Sequence, residues 1–427
     1  MLGATLPAMR DERSGTPRPH VGKGLRVLFI VTAYPRHEGD VITPWMAEAI
    51  RQLSLRGVAV EVLAPSYKGG RDHSIDGVPV HRFRYAPRAL EQLTHDQTAP
   101  DRVRERPAYL GVVPSYVVAG SLAAVRLART GRFDVLHAFW PIPHGLLGLA
   151  ARSASGVPLV CTFFGAELSW VGKDLPFLSP ILRRIARSSD GVTTNSLHTA
   201  RLLARYAGED IAPAVVPFGA AVEATREIPA YRPDPSRPFE MLFVGRLVER
   251  KGVHRLLDAV ARFPKARAAR LHLVGDGPDR AALQARAEAH GLHDRVIFHG
   301  FVSEEEKRRR LASCDVLVLP AVIDAKGDTE GQGVVLLEAM TFGKPVAASR
   351  VGGIVEAVED GVTGLLVPPD DPHALASALF AVMDDIPRAR RMGVAGRFVV
   401  EQRFSWEAIA GSLESVYHRV RRVQRGS

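Results

Sequence analysis

Twice along this chain, short runs of valine, leucine and isoleucine alternate with stretches of helical periodicity, and a proline-rich break separates the two series. Alternation of that kind is the sequence form of a parallel sheet, because joining parallel strands takes a crossover of about a dozen residues and a helix fills it. The first series predicts strands near 26–32 (RVLFIVT), 58–63 (VAVEVL), 134–139 (DVLHAF), 158–163 (PLVCTF), 191–194 and 213–217. The second restarts at 239–245 (FEMLFVG) and continues at 271–275, 295–299, 315–319 and 345–349. A chain of 427 residues also exceeds the size at which one hydrophobic core keeps growing, which independently favours two units.

The expected fold class is therefore α/β, with two doubly wound, Rossmann-like domains built on parallel sheets. Residues 1–24 read as a loose tail, 25–222 as the N-terminal domain, and 223–238 (EATREIPAYRPDPSRP) as the linker. Residues 239–403 read as the C-terminal domain, and 404–427 as an appended helix packing back toward the first domain. Open α/β sheets bind ligands at the carboxyl ends of their strands, so the cleft between two facing domains is the expected site.

Composition narrows the function. The tail lacks the apolar centre of a secretory signal, so a cytoplasmic location is expected. Cys161 and Cys314 lie in apolar strand-like runs, which points to buried thiols and against a disulfide or a metal site. A net charge of +10 suits an anionic partner, either a nucleotide diphosphate or an anionic membrane surface at the inner face of the membrane. The arginines are spread over helical faces without interleaved aromatics, so nucleic acid is not an expected partner. The most apolar stretch, 112–125 (VVPSYVVAGSLAAV), reads as too short and too interrupted to cross a bilayer, so membrane contact would be peripheral. Together with the basic, aromatic run 80–93 (VHRFRYAPRALEQL), it could form an amphipathic surface for a lipid-linked acceptor or be an ordinary insertion.

Two segments carry the chemistry. GRLVERKG (245–252) follows a predicted strand and places Arg246 and Lys251 on one loop beginning at Gly245. Two cations and two glycines there suit a diphosphate, since glycine lets the backbone approach and each charge-assisted hydrogen bond contributes roughly 1.5–3 kcal/mol. By itself the segment fits a solvated basic turn equally well. In DAKGDTEGQGVVLLEAM (324–340), Glu330 opens a turn of Gly331, Gln332 and Gly333, a helix is predicted from about Val334, and Glu338 follows. Backbone N–H groups at that helix start can receive phosphate or sugar oxygens, and a carboxylate can accept from two hydroxyls of a ribose or hexose. Glu338 stands in an apolar turn, where a carboxylate lacking a partner would be poorly solvated.

GRLVERKG, the glutamate pair of EGQGVVLLEAM and the run FGKPVAASRVGGIVEAVEDGVTGLLVPPDD together resemble the C-terminal domain of family 4 retaining glycosyltransferases of the GT-B fold, over nearly all of 240–400. The N-terminal half is similar more loosely, through RVLFIVTAYP, RHEGD, DVLHAFWPIPHG and the final helix beginning FSW. The resemblance implies two facing Rossmann-like domains and metal-independent transfer of a hexose, with retention, to an acceptor hydroxyl. The nucleotide-diphosphate sugar is the co-substrate and no cofactor is implied; the acceptor would be a glycan or glycolipid, such as a lipid-linked or cell-envelope precursor. It also implies a catalytic group of Arg246, Lys251 and Glu330, the cations neutralising the diphosphate as it leaves and Glu330 binding hydroxyls of the donor sugar. Glu338 would bind the ribose, and the backbone of Gly331, Gln332 and Gly333, with Gly245, would meet the sugar and phosphates. Phe301 and Val302 would lie near the base, and Gly39 of RHEGD would be the loop glycine that approaches the phosphates.

One position departs from the family. Many members carry His-Gly-x-Asp where this chain reads VCTFFGAEL, so Phe164 stands at the histidine position and Glu167 at the aspartate position. Phe164 cannot hydrogen-bond a sugar hydroxyl. His137 and His144 are the candidates for a polar group on the acceptor side, and each also suits packing. A catalytically weak sugar-nucleotide-binding protein and a sugar-nucleotide epimerase are the alternatives. A dinucleotide-dependent dehydrogenase is disfavoured, since VGDGP (274–278) lacks the third glycine of that fingerprint.

Overall fold

The structure is a computed structural model that describes residues 24–38, 40, 42–95, 99–173, 175–220, 237–264, 266–325 and 327–426. The tail 1–23 and the stretch 221–236, which holds most of the linker, lie outside the described residues. Eight strands form the first sheet: β1 (Arg26–Ile30), β2 (Ala59–Pro65), β3 (His73–Ile75), β4 (Val78–Phe83), β5 (Val135–Phe139), β6 (Leu159–Phe163), β7 (Gly191–Thr194) and β8 (Ala214–Val215). Their order is β3-β4-β2-β1-β5-β6-β7-β8, parallel throughout except for the β3–β4 pair at one edge. The sequence reading placed no strand between 63 and 134. The hairpin arises because Asp76 and Gly77 both take positive φ, 48° and 79°, the conformation of a tight two-residue hairpin turn.

The second sheet has six parallel strands, β9 (Phe239–Val244), β10 (Ala269–Val274), β11 (Val296–Gly300), β12 (Val316–Leu319), β13 (Val346–Ser349) and β14 (Leu365–Val367), in the order β11-β10-β9-β12-β13-β14. Its central residues, among them Met241, Phe243, Leu317 and Leu319, are buried, as both faces are covered by helices. Each sheet starts at an inner strand, builds out to one edge and then returns to the other side of that strand. β1 thus lies between β2 and β5, and β9 between β10 and β12. Loops that leave such a pair at the carboxyl end diverge and open a crevice.

The helix Trp406–Gly426 crosses back to the first domain. Ile409, Leu413, Tyr417 and Val420 pack into the core formed by Met46, Ile50, Leu53 and the β1–β5–β6 face. Arg56 bonds Glu414 at 2.7 Å, and the Tyr417 hydroxyl meets His137 Nδ1 at 2.7 Å. The chain's last helix is therefore part of the first domain's interior.

The apolar stretch near 112 is longer and more regular than its sequence suggested. Pro107 and Pro114 stand in the first turns of a 3₁₀ segment (Pro107–Gly111) and a helix (Val112–Ala128), where a missing N–H costs no intrahelical bond, so they start helical structure and do not interrupt it. The run Pro107–Ala128 spans 22 residues at mean hydropathy 1.6, long and apolar enough by length and composition to cross a membrane, which corrects the expectation of a short, broken stretch. One face is packed: Tyr116, Gly120 and Ala124 are buried, and a Cβ on Gly120 would meet Leu147 at 2.5 Å. Val118 and Leu122 point the other way, 59% and 66% exposed.

Truncating Tyr417 to alanine should lower the stability of the first domain by about 3 kcal/mol, through the cavity left in its core. Tyr417→Phe, which loses only the hydroxyl bond to His137, should cost about 1 kcal/mol. Urea denaturation checks both, and an unchanged midpoint for Tyr417→Ala would show that the helix does not contribute to that core.

Candidate active site

β9 ends just before Gly245, and the loop beyond it turns tightly, Lys251 N–H donating to the Val248 carbonyl at 2.9 Å. Gly252, at φ 67°, then starts the helix Val253–Val260. The loop fits only because its neighbours lack side chains: a Cβ on Gly275 would stand 2.0 Å from the Gly245 carbonyl oxygen, and one on Gly252 1.8 Å from that of Pro320. The second contact ties the β9 loop to the exit of β12, the two loops that flank the crevice.

Across that junction the Lys251 ammonium meets the Glu330 carboxylate. The other Glu330 oxygen accepts from Gly333 N–H at 3.1 Å and Gln332 N–H at 3.4 Å, at the start of the helix Val334–Thr341. Burial alone would raise the Glu330 carboxyl; the charge and hydrogen bond of Lys251 outweigh it and hold it below its ordinary range. Arg246 is exposed on the same loop, and its guanidinium has no hydrogen bond or ion pair with the described residues. Glu338 lies one turn into the helix, buried, with Lys307 Nζ at 3.3 Å. Its carboxyl is raised by burial, an effect that Lys307 offsets only in part. Phe301, after β11, is 83% exposed, while Val302 packs against the domain core.

Two contacts fasten this loop to the first domain. The Gln332 side chain accepts from Phe218 N–H at 2.8 Å and donates to Phe218 O at 2.9 Å. Glu356 accepts from Leu197 N–H at 2.7 Å and His198 N–H at 3.0 Å, at the positive end of the helix Leu197–Ala207. Glu356 belongs to the same assembly as Glu330, because Gly352 and Gly353 press on the Glu330 and Gly331 carbonyls, where Cβ atoms would stand at 2.0 and 1.9 Å. Beside these contacts is a cavity of about 710 Å³ reached by Asn195, Gln332, Glu356 and Arg403.

On the first domain's side, Gly39 lies outside the described residues. Its neighbour Asp40 accepts from Arg36 Nε at 2.6 Å, which, against the opposing effect of burial, holds the Asp40 carboxyl down at about 2. Arg82 pins the loop by donating to the Tyr34 and Pro35 carbonyls, both at 2.8 Å. Phe164 stands in an aromatic wall: it stacks on Phe218 at 5.1 Å and meets Trp45 and Trp140 at 5.5 and 5.0 Å. Glu167 is buried beneath it, one oxygen accepting from Phe164 N–H at 2.7 Å and the other without a partner, and burial pushes its carboxyl up to about 7. His137 is engaged on both nitrogens, by Tyr417 and by Thr162 at 2.6 Å, and burial pushes it down to about 3. His144, lowered to about 4 by burial, is held by the Tyr116 hydroxyl and the Trp140 carbonyl. Both histidines therefore sit inside the first domain's core and not in the crevice with Lys251 and Glu330.

Comparisons with known proteins match the chain in both halves. A family model described as "Glycosyl transferase 4-like domain" matches residues 42–219, and one described as "Glycosyl transferases group 1" matches 225–399. The chain is 30% identical over 400 residues to a GDP-mannose-dependent alpha-(1-6)-phosphatidylinositol monomannoside mannosyltransferase of Mycobacterium tuberculosis, covering 91% of this chain and 97% of the relative. The chain belongs to the family 4 glycosyltransferases of the GT-B fold. It is also 31% identical over 321 residues to a glycogen synthase of Mycobacterium tuberculosis, covering 71% of this chain and 74% of that one. Among solved structures, sucrose-phosphate synthase from Thermosynechococcus elongatus superposes with a TM-score of 0.71 at 23% identity, covering 93% of this chain and all of that one (100%).

As a glycosyltransferase, the protein takes its sugar from a nucleotide-sugar donor. Three residues at its crevice escaped the sequence reading. Lys307 left only the trace of an i, i+3 pair with Glu304, whereas Phe218 and Glu356 act across the domain boundary and left none. Cys161 and Cys314 are buried free thiols, as read from their apolar surroundings.

The raised Glu167 carboxyl makes a prediction about pH. Its folded pKa of about 7 exceeds the ordinary value of 4.5, so the folded state holds a proton that the unfolded chain releases, and stability falls as pH rises through that window. Glu167→Gln should flatten this decline in thermal melts between about pH 5 and pH 7. A decline that persists unchanged would mean that another group causes it.

Proposed function

We propose that this glycosyltransferase is a retaining hexosyltransferase that delivers its sugar to a lipid-linked glycan acceptor at a membrane surface. The observation that carries the reading is the Lys251–Glu330 pair at the start of a helix, beside a glycine-lined loop and the uncommitted guanidinium of Arg246. Such a place offers backbone N–H groups and two cations to a pyrophosphate, and an ionised carboxylate to sugar hydroxyls. As the bond from the anomeric carbon to the diphosphate breaks, negative charge grows on the leaving oxygens. Arg246 and Lys251 are stronger partners for that charge than for the intact donor, which is what lowers a barrier. The acceptor hydroxyl then attacks from the face the diphosphate leaves, and its proton passes to an oxygen of the departing diphosphate. Glu338 holds the ribose and the Phe301–Val302 loop borders the base. The Mycobacterium tuberculosis relative makes GDP-mannose the first donor to test and a mannosylated phospholipid the first acceptor.

The exposed face of the helix Val112–Ala128, with Val118 and Leu122, supports docking on the bilayer, and the net charge of +10 favours anionic lipid. Phe164 takes no part in proton transfer in this scheme; it shapes the apolar wall on the acceptor side.

Lys251→Met and Glu330→Gln should each lower kcat by about 100-fold or more while leaving the melting temperature within a few degrees. Transfer assays with GDP-mannose and UDP-glucose test this, and normal turnover in both variants would remove the site assignment. The protein should sediment with anionic vesicles at low salt, and Leu122→Glu with Val118→Glu should release it. Failure of the unaltered protein to bind such vesicles would retire the membrane reading.

A further inference from the structure

Glu338 is only 7% exposed at its side chain, a position where a carboxylate without a cation takes up a proton. Among the described residues, one cation faces it. Lys307, from the helix Glu304–Ser313, sets its ammonium 3.3 Å from Glu338 Oε1 and 2.8 Å from Glu304. Glu304 is largely solvated, so the ammonium is steadied on its outer side and committed to Glu338 on its inner side. The second Glu338 oxygen has no partner among the described residues, and it is not among the buried atoms left unsatisfied, so it is reached by solvent.

The helix that carries Lys307 is itself held in place. Ser303 caps it, accepting from Glu306 N–H at 3.2 Å. Arg310, one turn beyond Lys307, reaches His272 of β10 at 3.2 Å, and His272 in turn bonds Glu240 at 2.6 Å and His299 at 2.9 Å. Lys307 thus projects from a fixed support, and its distance to Glu338 follows from packing.

We propose that Lys307 is a positioning residue for the donor: it holds Glu338 in the charged, hydroxyl-accepting form and occupies one carboxylate oxygen so that the other meets the ribose hydroxyls of the nucleotide. This rests on the reading of Glu338 as the ribose-binding carboxylate. The charged groups that act on Glu338 are Lys307, which favours ionisation, and Glu304 on the same facing helix, which opposes it. Without the ammonium, burial and Glu304 both favour the neutral acid, and a neutral carboxyl accepts hydroxyl hydrogen bonds poorly. Nucleotide affinity would then fall as pH falls.

Isothermal titration of the full-length protein with GDP and UDP between about pH 5.5 and 8.5 tests this. Taking each variant as a ratio to the unaltered protein cancels the titration of the nucleotide's own phosphate. Lys307→Met is expected to bind about tenfold more weakly at about pH 6, with the gap closing as pH rises, while Lys307→Arg keeps the unaltered profile. With 2′-deoxy-GDP the gap should shrink, and in a Glu338→Gln background Lys307→Met should change nothing. No gap, or one independent of pH, overturns the proposal while Glu338→Gln still weakens binding. If Glu338→Gln binds both nucleotides as tightly as the unaltered protein, the ribose reading fails and takes the proposal with it.

Discussion

The ion pair of Lys251 and Glu330 sits where the loops leaving β9 and β12 converge, and the crevice is organised around it. A lysine and a glutamate taken this far from water are each costly alone. Paired, and with the Gln332 and Gly333 amides also bonding Glu330 at the helix start, they become tolerable. The pair also holds the Glu330 carboxyl below its ordinary range in spite of burial. Glycine at 252 is what lets the two loops come close, since a Cβ there would stand 1.8 Å from the Pro320 carbonyl oxygen.

The same loop is where the domains meet. Gln332, two residues from Glu330, is hydrogen-bonded in both directions to the backbone of Phe218, and Glu356 caps a helix of the first domain from the second. The Lys251–Glu330 pair and the contact to Phe218 thus share a short stretch of backbone. The helix Trp406–Gly426 reinforces the arrangement by completing the first domain's core with residues from the end of the chain.

Charge in the first domain is handled differently. His137, His144 and Glu167 are all buried and all pushed toward their neutral forms, and each has at least one hydrogen-bond partner inside the fold. Around Phe164 the surface is aromatic, built from Trp45, Trp140 and Phe218. The residue at the histidine position is thus a ring that packs.

Much of this was legible in the amino-acid order. Parallel strands buried on both faces leave continuous apolar runs, so eleven of the fourteen described strands could be read, and the glutamates of EGQGVVLLEAM and the cations of GRLVERKG could be singled out. The β3–β4 hairpin was not, although Asp76-Gly77 is a hairpin dipeptide, because its strands are short and leave no long apolar run, and the three-residue β14 was missed as well. The helix from Val112 was misjudged because proline breaks a helix in its interior and starts one in its first turn, and only the backbone tells which turn it occupies. What the sequence alone determined is local: periodicity, loop chemistry and the residue types available to a diphosphate. Which carboxylate pairs with which lysine, which histidines are sealed in the core, and how Phe218 and Glu356 join the domains were decided by tertiary structure, because those contacts join residues far apart in the chain that no local pattern brings together.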